Sequence, residues 1–397
     1  MSGDARNTEL PPVVWVSARP IASALDSATW LETTRELRER GWPITLVGEG
    51  PAGEHCIQGV TVYCLPKPRV YGLGYCLFHL RLWRFLFQQR AKYATILFHQ
   101  KSAPWVLPLR FVRSVGDRDQ PLLTMDTRDV VAVGTGLRNW LRRFYFRCAH
   151  WLANHWADGQ TAITPRMAQL VGIPSAQLWG TWPSGVDLER FQPAQAGRKW
   201  PGPGDPIHLM YIGTFVRDRN LTLLCRAVDR ANVDGLAFAL SLVGDGPERP
   251  ALEEAARGAG GAIHVEPPVT HDRIPELLRQ VHVGVTSLPS SYDRKFEASS
   301  PIKLFEYMAA GLPVIATDNA CHTDVVGEGT YAFWVREASK EGMLATLRLV
   351  ARAQERLGVK GAEAAAAAQA WTWQEAGRKL AVALERGLLE PADGSVA

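Results

Sequence analysis

The sequence is short of paired cysteines, of long apolar runs and, over one stretch, of acidic residues. Each shortage narrows what the chain can be. Its six cysteines (Cys56, Cys64, Cys76, Cys148, Cys225 and Cys321) are scattered, with no C-x-x-C. That pattern predicts free thiols in a reducing compartment, not a disulfide framework. No apolar segment reaches the ~18–20 residues that a bilayer crossing needs. The opening residues, MSGDARNTELPPVVWV, lack a basic leader before a long apolar run, so no signal peptide is expected. A formal charge of +4 on 397 residues is too small to indicate nucleic acid. Nor is there metal-ligand spacing: Asp318 and His322 are isolated from other donors, and no metal is expected.

The charge distribution carries more than the total. Between His55 and Gly116 there is no acidic residue, while Lys67, Arg69, Arg81, Arg84, Arg90, Lys92, Lys101, Arg110 and Arg113 all fall there. Arg138, Arg142, Arg143 and Arg147 form a second basic cluster. The length suits two or three domains with separate cores.

Strand-like and helix-like segments alternate. VVWVSA (13–18), PITLVG (43–48), TVYCLP (61–66), ATILFH (94–99) and PLLTMD (121–126) read as strands, with a helix around 24–40. AITPRMAQLVG (162–172) reads as a strand delivering a helix, Thr164 capping and Pro165 in the first turn. The Gly- and Pro-rich stretch 181–206 marks a domain boundary. The pattern then restarts with IHLMYIG (207–213), AFALSLVG (237–244), AIHVE (262–266), VHVGVTS (281–287) and LPVIAT (312–317), separated by helices. An alanine-rich helix at 361–369 and a long one over 371–389 complete the chain. Strands and helices alternating at these lengths predict two parallel, doubly wound sheets, whose ligands bind beyond the carboxyl ends of the strands.

Three strand-to-helix turns carry candidate chemistry. In YIGTFVRDRN, Gly213 permits a tight turn and Thr214 can cap. Arg217 and Arg219 there either flank an anion at the helix start or form a solvated loop. In SLVGDGPERPALEE, Gly244-Asp245-Gly246 ends a strand, with Gly246 at an unusual backbone angle or a close approach; an unliganded turn is the plain alternative. In SSPIKLFEYMAAGLPVIATD, Ser299 or Ser300 suits the cap and Pro301 the first helical position. A lysine in the first turn, Lys303, opposes the helix dipole unless an anion sits there. Glu306 lies on the same face, where its carboxylate can accept ribose hydroxyls; a surface Lys303–Glu306 pair is the alternative. Phe305, Met308 and Ala309 face the core, and Gly311 ends the helix.

Taken together, TWPSGVDLERFQP, YIGTFVRDRN, LVGDGPERPALEEAA and SSPIKLFEYMAAGLPVIAT resemble the signature segments of family 4 retaining glycosyltransferases (glycosyl transferases group 1). The likeness runs over roughly residues 10–390 and is strongest from 181 to 318. It implies the GT-B fold: two Rossmann-like domains of doubly wound parallel sheet facing across a cleft. Residues 1–184 would form the acceptor-side domain and 185–372 the nucleotide-sugar domain, with a helix over 373–390 returning to the first.

By the same resemblance Glu306 holds the ribose, and Ser300, Pro301 and Ile302 receive the diphosphate. Arg219, with Arg217 as near alternative, binds the phosphates, Gly213 and Thr214 form the first loop, and Gly244, Asp245 and Gly246 lie beneath the base. The donor would be a UDP- or GDP-linked sugar, and no tightly bound cofactor is implied. The sequence departs from the family where a first glutamate is usual, eight positions before Glu306. Ala298 stands there, with Glu297 one place away as its candidate replacement. Thr214 stands where an arginine is common, which shifts phosphate neutralisation to Arg217, Arg219 or Lys303. SARPIASALDS (17–27) replaces the glycine-rich first loop.

On the acceptor side, Asp126 resembles a position near the transferred sugar, with His99 and Arg128 as neighbours at strand ends. The expected catalytic set is Asp126, Glu297, Arg219 and Lys303. Residues 75–92 and 138–147 are apolar and basic together, which suits either an anionic membrane surface or a packed helix with a basic rim. A glycan or lipid-linked acceptor would follow from membrane contact, in a cytoplasmic protein peripheral on the inner face of the plasma membrane. Two other activities fit the same residues: a nucleotide-sugar epimerase, and a non-catalytic nucleotide-sugar-binding protein.

Overall fold

Buried strands explain why so much of the sequence reads as apolar runs. The structure, a computed structural model, describes residues 10–22, 27–68, 70, 72–112, 120–130, 136–286, 288–289 and 294–389. The chain divides into two units, one of Met1–Pro183 with Trp373–Ala397 and one of Ser184–Thr372.

The first unit holds strands β1 (Val13–Val16), β2 (Ile44–Glu49), β3 (Gly53–Ile57), β4 (Val60–Leu65), β5 (Thr95–His99), β6 (Leu122–Thr127), β7 (Gly159–Ala162) and β8 (Leu178–Thr181). Their order in the sheet is β3-β4-β2-β1-β5-β6-β7-β8. Successive residues of β1 serve opposite faces: Val13 and Trp15 join one apolar cluster, Val14 and Val16 the other. All pairings are parallel except β3 with β4. That hairpin turns at Gln58 and Gly59, both at positive φ (48° and 78°), as a two-residue turn requires. An all-parallel reading therefore misses β3. Its sequence, GEHCI, is polar and half-exposed, as an edge strand can be, and gives no apolar signal. The C-terminal helix Trp373–Leu389 belongs to this unit, where Leu380, Ala381, Ala383 and Leu384 join a cluster built on Trp15, Trp30 and Trp182.

The second unit holds β9 (Ile207–Thr214), β10 (Phe238–Asp245), β11 (Ile263–Glu266), β12 (Val283–Val285), β13 (Val314–Thr317) and β14 (Ala332–Val335). Their order is β11-β10-β9-β12-β13-β14, all parallel. In chain order within the unit this is 3-2-1-4-5-6, the dinucleotide-fold order, with its switch point between β9 and β12. The first unit has the equivalent reversal between β1 and β5.

Two predicted helix starts differ in detail from the sequence reading. The helix after β9 begins at Leu221, with Asn220 in the left-handed region (φ 55°) at its cap, so Thr214 caps nothing. The helix after residue 300 runs Ile302–Ala309 with Pro301 at the capping position and no side-chain cap. Pro301 is thus one place earlier than expected, and Ser299 and Ser300 do not cap. Ser299 Oγ instead donates to the Phe296 carbonyl (2.9 Å), and Ser300 Oγ accepts from the Ser184 N–H (3.0 Å). Phe305, Met308 and Ala309 are fully buried, and Gly311 closes the helix at φ 68°.

Candidate nucleotide-sugar site

Parallel registry of β9 and β10 sets Gly213 opposite Gly244 and Thr214 opposite Asp245, so the first two glycine turns lie side by side. They are stitched by Phe215 N–H to the Asp245 carbonyl (2.8 Å) and Glu248 N–H to the Phe215 carbonyl (3.0 Å). A Cβ on Gly246 would come within 2.3 Å of that carbonyl oxygen, so glycine is demanded there by loop-to-loop packing. Asp245 is exposed and accepts from the Gly246 N–H (2.8 Å) and Arg249 Nε (3.0 Å). These bonds hold its carboxyl below the usual carboxylate range.

Gly213, at φ 145°, leaves room for a different neighbour. A Cβ built there would stand 3.0 Å from Lys303 Nζ, so the lysine amine lies directly over this turn. Burial, together with the nearby Arg219 charge, pushes the Lys303 pKa down to about 8, against the pull of Glu306. Among the described residues, no carboxylate forms an ion pair with Lys303. Arg219 is half-buried, its guanidinium 4.9 Å from the centre of the Phe296 ring, and its buried Nε has no hydrogen-bond partner among the described residues. Arg217, two residues away, is exposed. His322, buried in the helix Ala320–Val326 that follows β13, lies in the field of both cations, and burial with those charges holds its pKa near 4. Its Nδ1 is 3.0 Å from the Thr317 carbonyl.

Glu306 is buried and not part of a surface pair with Lys303. Its Oε1 lies 2.7 Å from His271 Nε2, a partner thirty-five positions away that sequence reading does not anticipate. Glu297 ends the short helix Arg294–Glu297 and is half-exposed. Arg219, Lys303, Glu306, Gly213 and His322 are thus gathered around the ends of β9 and β13 and one helix start.

The acceptor-side candidates have other surroundings. Asp126 is fully buried. Its Oδ1 accepts from Thr161 Oγ1 (2.7 Å) and Trp182 Nε1 (3.1 Å), and Oδ2 has no partner among the described residues. Burial pushes its pKa up, against Arg128 and these hydrogen bonds. Its burial disfavours the catalytic role expected of it, since the side chain points into the interior of the unit. His99 is likewise buried, with its pKa pushed down to about 3, chiefly by burial. Its Nδ1 accepts from the Lys101 N–H (3.2 Å), and its Nε2 stands 4.0 Å from Asp129. Arg128 lies 3.6 Å over the Trp182 ring. Asp129 is engaged by Arg19 (3.2 Å), Lys101 (3.9 Å) and Gln100 (2.9 Å). His150, missed from sequence, is buried here with neither ring nitrogen partnered among the described residues.

The two basic apolar helices also part company. Leu73–Gln89 turns Phe78, Leu82 and Leu86 into the core, so it is mainly a packed helix with a basic rim. Leu137–Trp156 leaves Leu137, Trp140, Leu141, Phe144 and Trp151 exposed, along with Arg138, Arg142 and Arg147. Among the described residues no helix is long and apolar enough to cross a membrane, and no group of three or more His, Cys, Asp or Glu could hold a metal ion.

Two Rossmann-like sheets in one chain fit the GT-B fold, and solved structures of that fold superpose on nearly the whole chain. Sucrose-phosphate synthase from Thermosynechococcus elongatus superposes at TM-score 0.72 with 16% identity, over 96% of this chain and 98% of that one. Anabaena HepE, solved with UDP-glucose, superposes at TM-score 0.71 with 14% identity, over 94% and 99%. Residues 206–353 match the family "Glycosyl transferases group 1", so the chain is related to that family through its second unit. EpsF of Bacillus subtilis (strain 168), whose name assigns it to the glycosyltransferases, is 32% identical over 142 residues, 34% of this chain and 35% of EpsF. The match thus spans about a third of that relative's length.

Proposed function

We propose that the protein is a nucleotide-sugar-dependent retaining hexosyltransferase. The observation that carries this is the cationic pair at the switch point of the second unit. Arg219 adds to the cost of burying the Lys303 amine, which lies over the Gly213 turn without an ion-paired carboxylate among the described residues. An arrangement of that kind is stabilised by a bound dianion, and a nucleoside diphosphate supplies one. Glu306 takes the ribose hydroxyls on the free side of its carboxylate, and the Gly244–Gly246 turn lies under the base. UDP-glucose in HepE, a protein of the same fold, makes a UDP-sugar the first donor to test.

In transfer, Arg219 and Lys303 stabilise charge as it develops on the leaving diphosphate, and the fixed Ile302–Ala309 helix start adds its dipole. Glu297 is the carboxylate available to the donor sugar. The acceptor is a hydroxyl on a lipid-linked glycan or glycolipid, reached at the inner face of the plasma membrane. The exposed face of Leu137–Trp156 supports the membrane contact, since aromatic residues ringed by arginines suit an anionic lipid surface. A self-associating face is disfavoured by the same arginines, which a second copy would have to meet.

The test is a panel of nucleotide sugars with and without lipid extract. Transfer to lipid supports the proposal. Epimerisation at C2 without acceptor would indicate the epimerase, and donor binding without hydrolysis or transfer would indicate a binding protein.

A further inference from the structure

The segment Ser184–Phe191, SGVDLERF, reaches the carboxylate of Glu306 through two hydrogen bonds. Asp187 caps the short helix Leu188–Phe191, its Oδ1 accepting from the Arg190 N–H (3.1 Å), while its Oδ2 lies 3.5 Å from Arg190 Nε. The same arginine is therefore anchored by backbone and side chain, and its Nη1 is aimed at His271 Nδ1 (2.8 Å). The other face of that ring presents Nε2 to Glu306 Oε1 at 2.7 Å. Phe191 lies beside the ring, centroids 5.7 Å apart.

The direction of these bonds follows from the donors. A guanidinium has only N–H groups and cannot accept, so His271 Nδ1 must offer its lone pair. The ring proton then sits on Nε2, which donates to Glu306. The result is a neutral imidazole that fixes one oxygen of Glu306 without cancelling its charge. The other oxygen, Oε2, has no hydrogen-bond partner among the described residues.

We propose that His271, held in a single tautomer by the Asp187–Arg190 pair, is a positioning residue that orients Glu306 so that Oε2 selects for ribose hydroxyls. It acts through Glu306 and rests on the ribose role assigned to that residue above. The consequence is selectivity for ribonucleotides over nucleotides lacking the 2′ and 3′ hydroxyls, set from a segment outside the glycine turns.

The test compares dissociation constants of UDP and GDP with those of their 2′,3′-dideoxy forms, by calorimetry on the full-length protein. The wild type should prefer the ribose form of its cognate diphosphate by about tenfold or more, the scale of a hydrogen bond to a charged group. Glu306→Ala should bring that ratio near one. His271→Asn, whose amide can face Arg190 but not reach Glu306, should lose most of it. His271→Gln, whose amide can reach Glu306, should recover much of it. A merely structural histidine would weaken both ligands alike and leave the ratio unchanged. An unchanged ratio in His271→Asn alongside a collapsed one in Glu306→Ala overturns the positioning role while the ribose reading stands. If Glu306→Ala keeps the wild-type ratio, or neither diphosphate binds, the ribose reading falls and takes this inference with it.

Discussion

The two units place different chemistry at the same topological position. At the β1/β5 reversal of the first unit, polar groups are closed in on themselves: Asp129 meets Arg19, Lys101 and Gln100, and His99 is buried without charge. At the β9/β12 reversal of the second, Arg219 and Lys303 lie close together without an ion-pairing acid among the described residues. Strand order alone predicts a binding crevice in both. What separates them is ion pairing, which Arg219 and Lys303 lack among the described residues, at a cost that a bound anion would relieve.

The sharpest way to break this contrast is Arg219→Ala. Turnover should fall on the order of 10²–10³-fold, the effect of removing one electrostatic stabiliser of a developing anion, with only a small change in thermal melting. Equal losses in melting and turnover would make Arg219 structural. A next, smaller effect concerns the charge that the first unit does expose. Trp140→Ser with Phe144→Ser should reduce flotation with phosphatidylglycerol vesicles by about tenfold or more, given ~1.5–3 kcal/mol for each large apolar side chain fully buried. If the parent protein never floats, the membrane contact is wrong.

Titration sharpens the comparison further. Lys303 in the free site loses its proton near pH 8. A diphosphate favours the protonated amine, so affinity should be highest below that value and fall several-fold by about pH 9. The diphosphate is already largely ionised across that range, because its last pKa is ~6. Lys303→Gln should flatten the profile, and a wild-type profile already flat from pH 7 to 9 would detach Lys303 from the phosphates. The smallest effect belongs to Asp126→Asn. An amide can still accept from Thr161 and Trp182, so donor affinity should change by less than about twofold, measured by calorimetry. A large loss would return Asp126 to the catalytic list.

Much of the fold was legible because buried parallel strands leave continuous apolar runs, and because Gly and Pro punctuate the turns between them. The edge strand Gly53–Ile57 was not, since its residues are polar and its partner supplies the pattern. Within the site, Lys303 and Glu306 could be singled out because a lysine in a first turn contradicts the helix dipole unless something compensates it. The capping role of Ser299 and Ser300 failed because their hydroxyls are used by Phe296 and Ser184. Asp126 was not fully legible, because a strand-end carboxylate reads the same whether it faces solvent or, as here, the Trp182 indole. His271 had no local signal at all: its importance comes from a contact between segments far apart in the chain.

Arg219 and Lys303 are proposed here to form a diphosphate site in the second unit. Its most direct measurement is calorimetric titration of UDP and GDP, each beside its monophosphate and nucleoside, against the wild type and the Arg219→Gln, Lys303→Gln double variant. The account predicts that one base binds in the order diphosphate, monophosphate, nucleoside, and that the double variant loses the diphosphate advantage while keeping its melting temperature. Equal diphosphate affinity in the wild type and the double variant would contradict it.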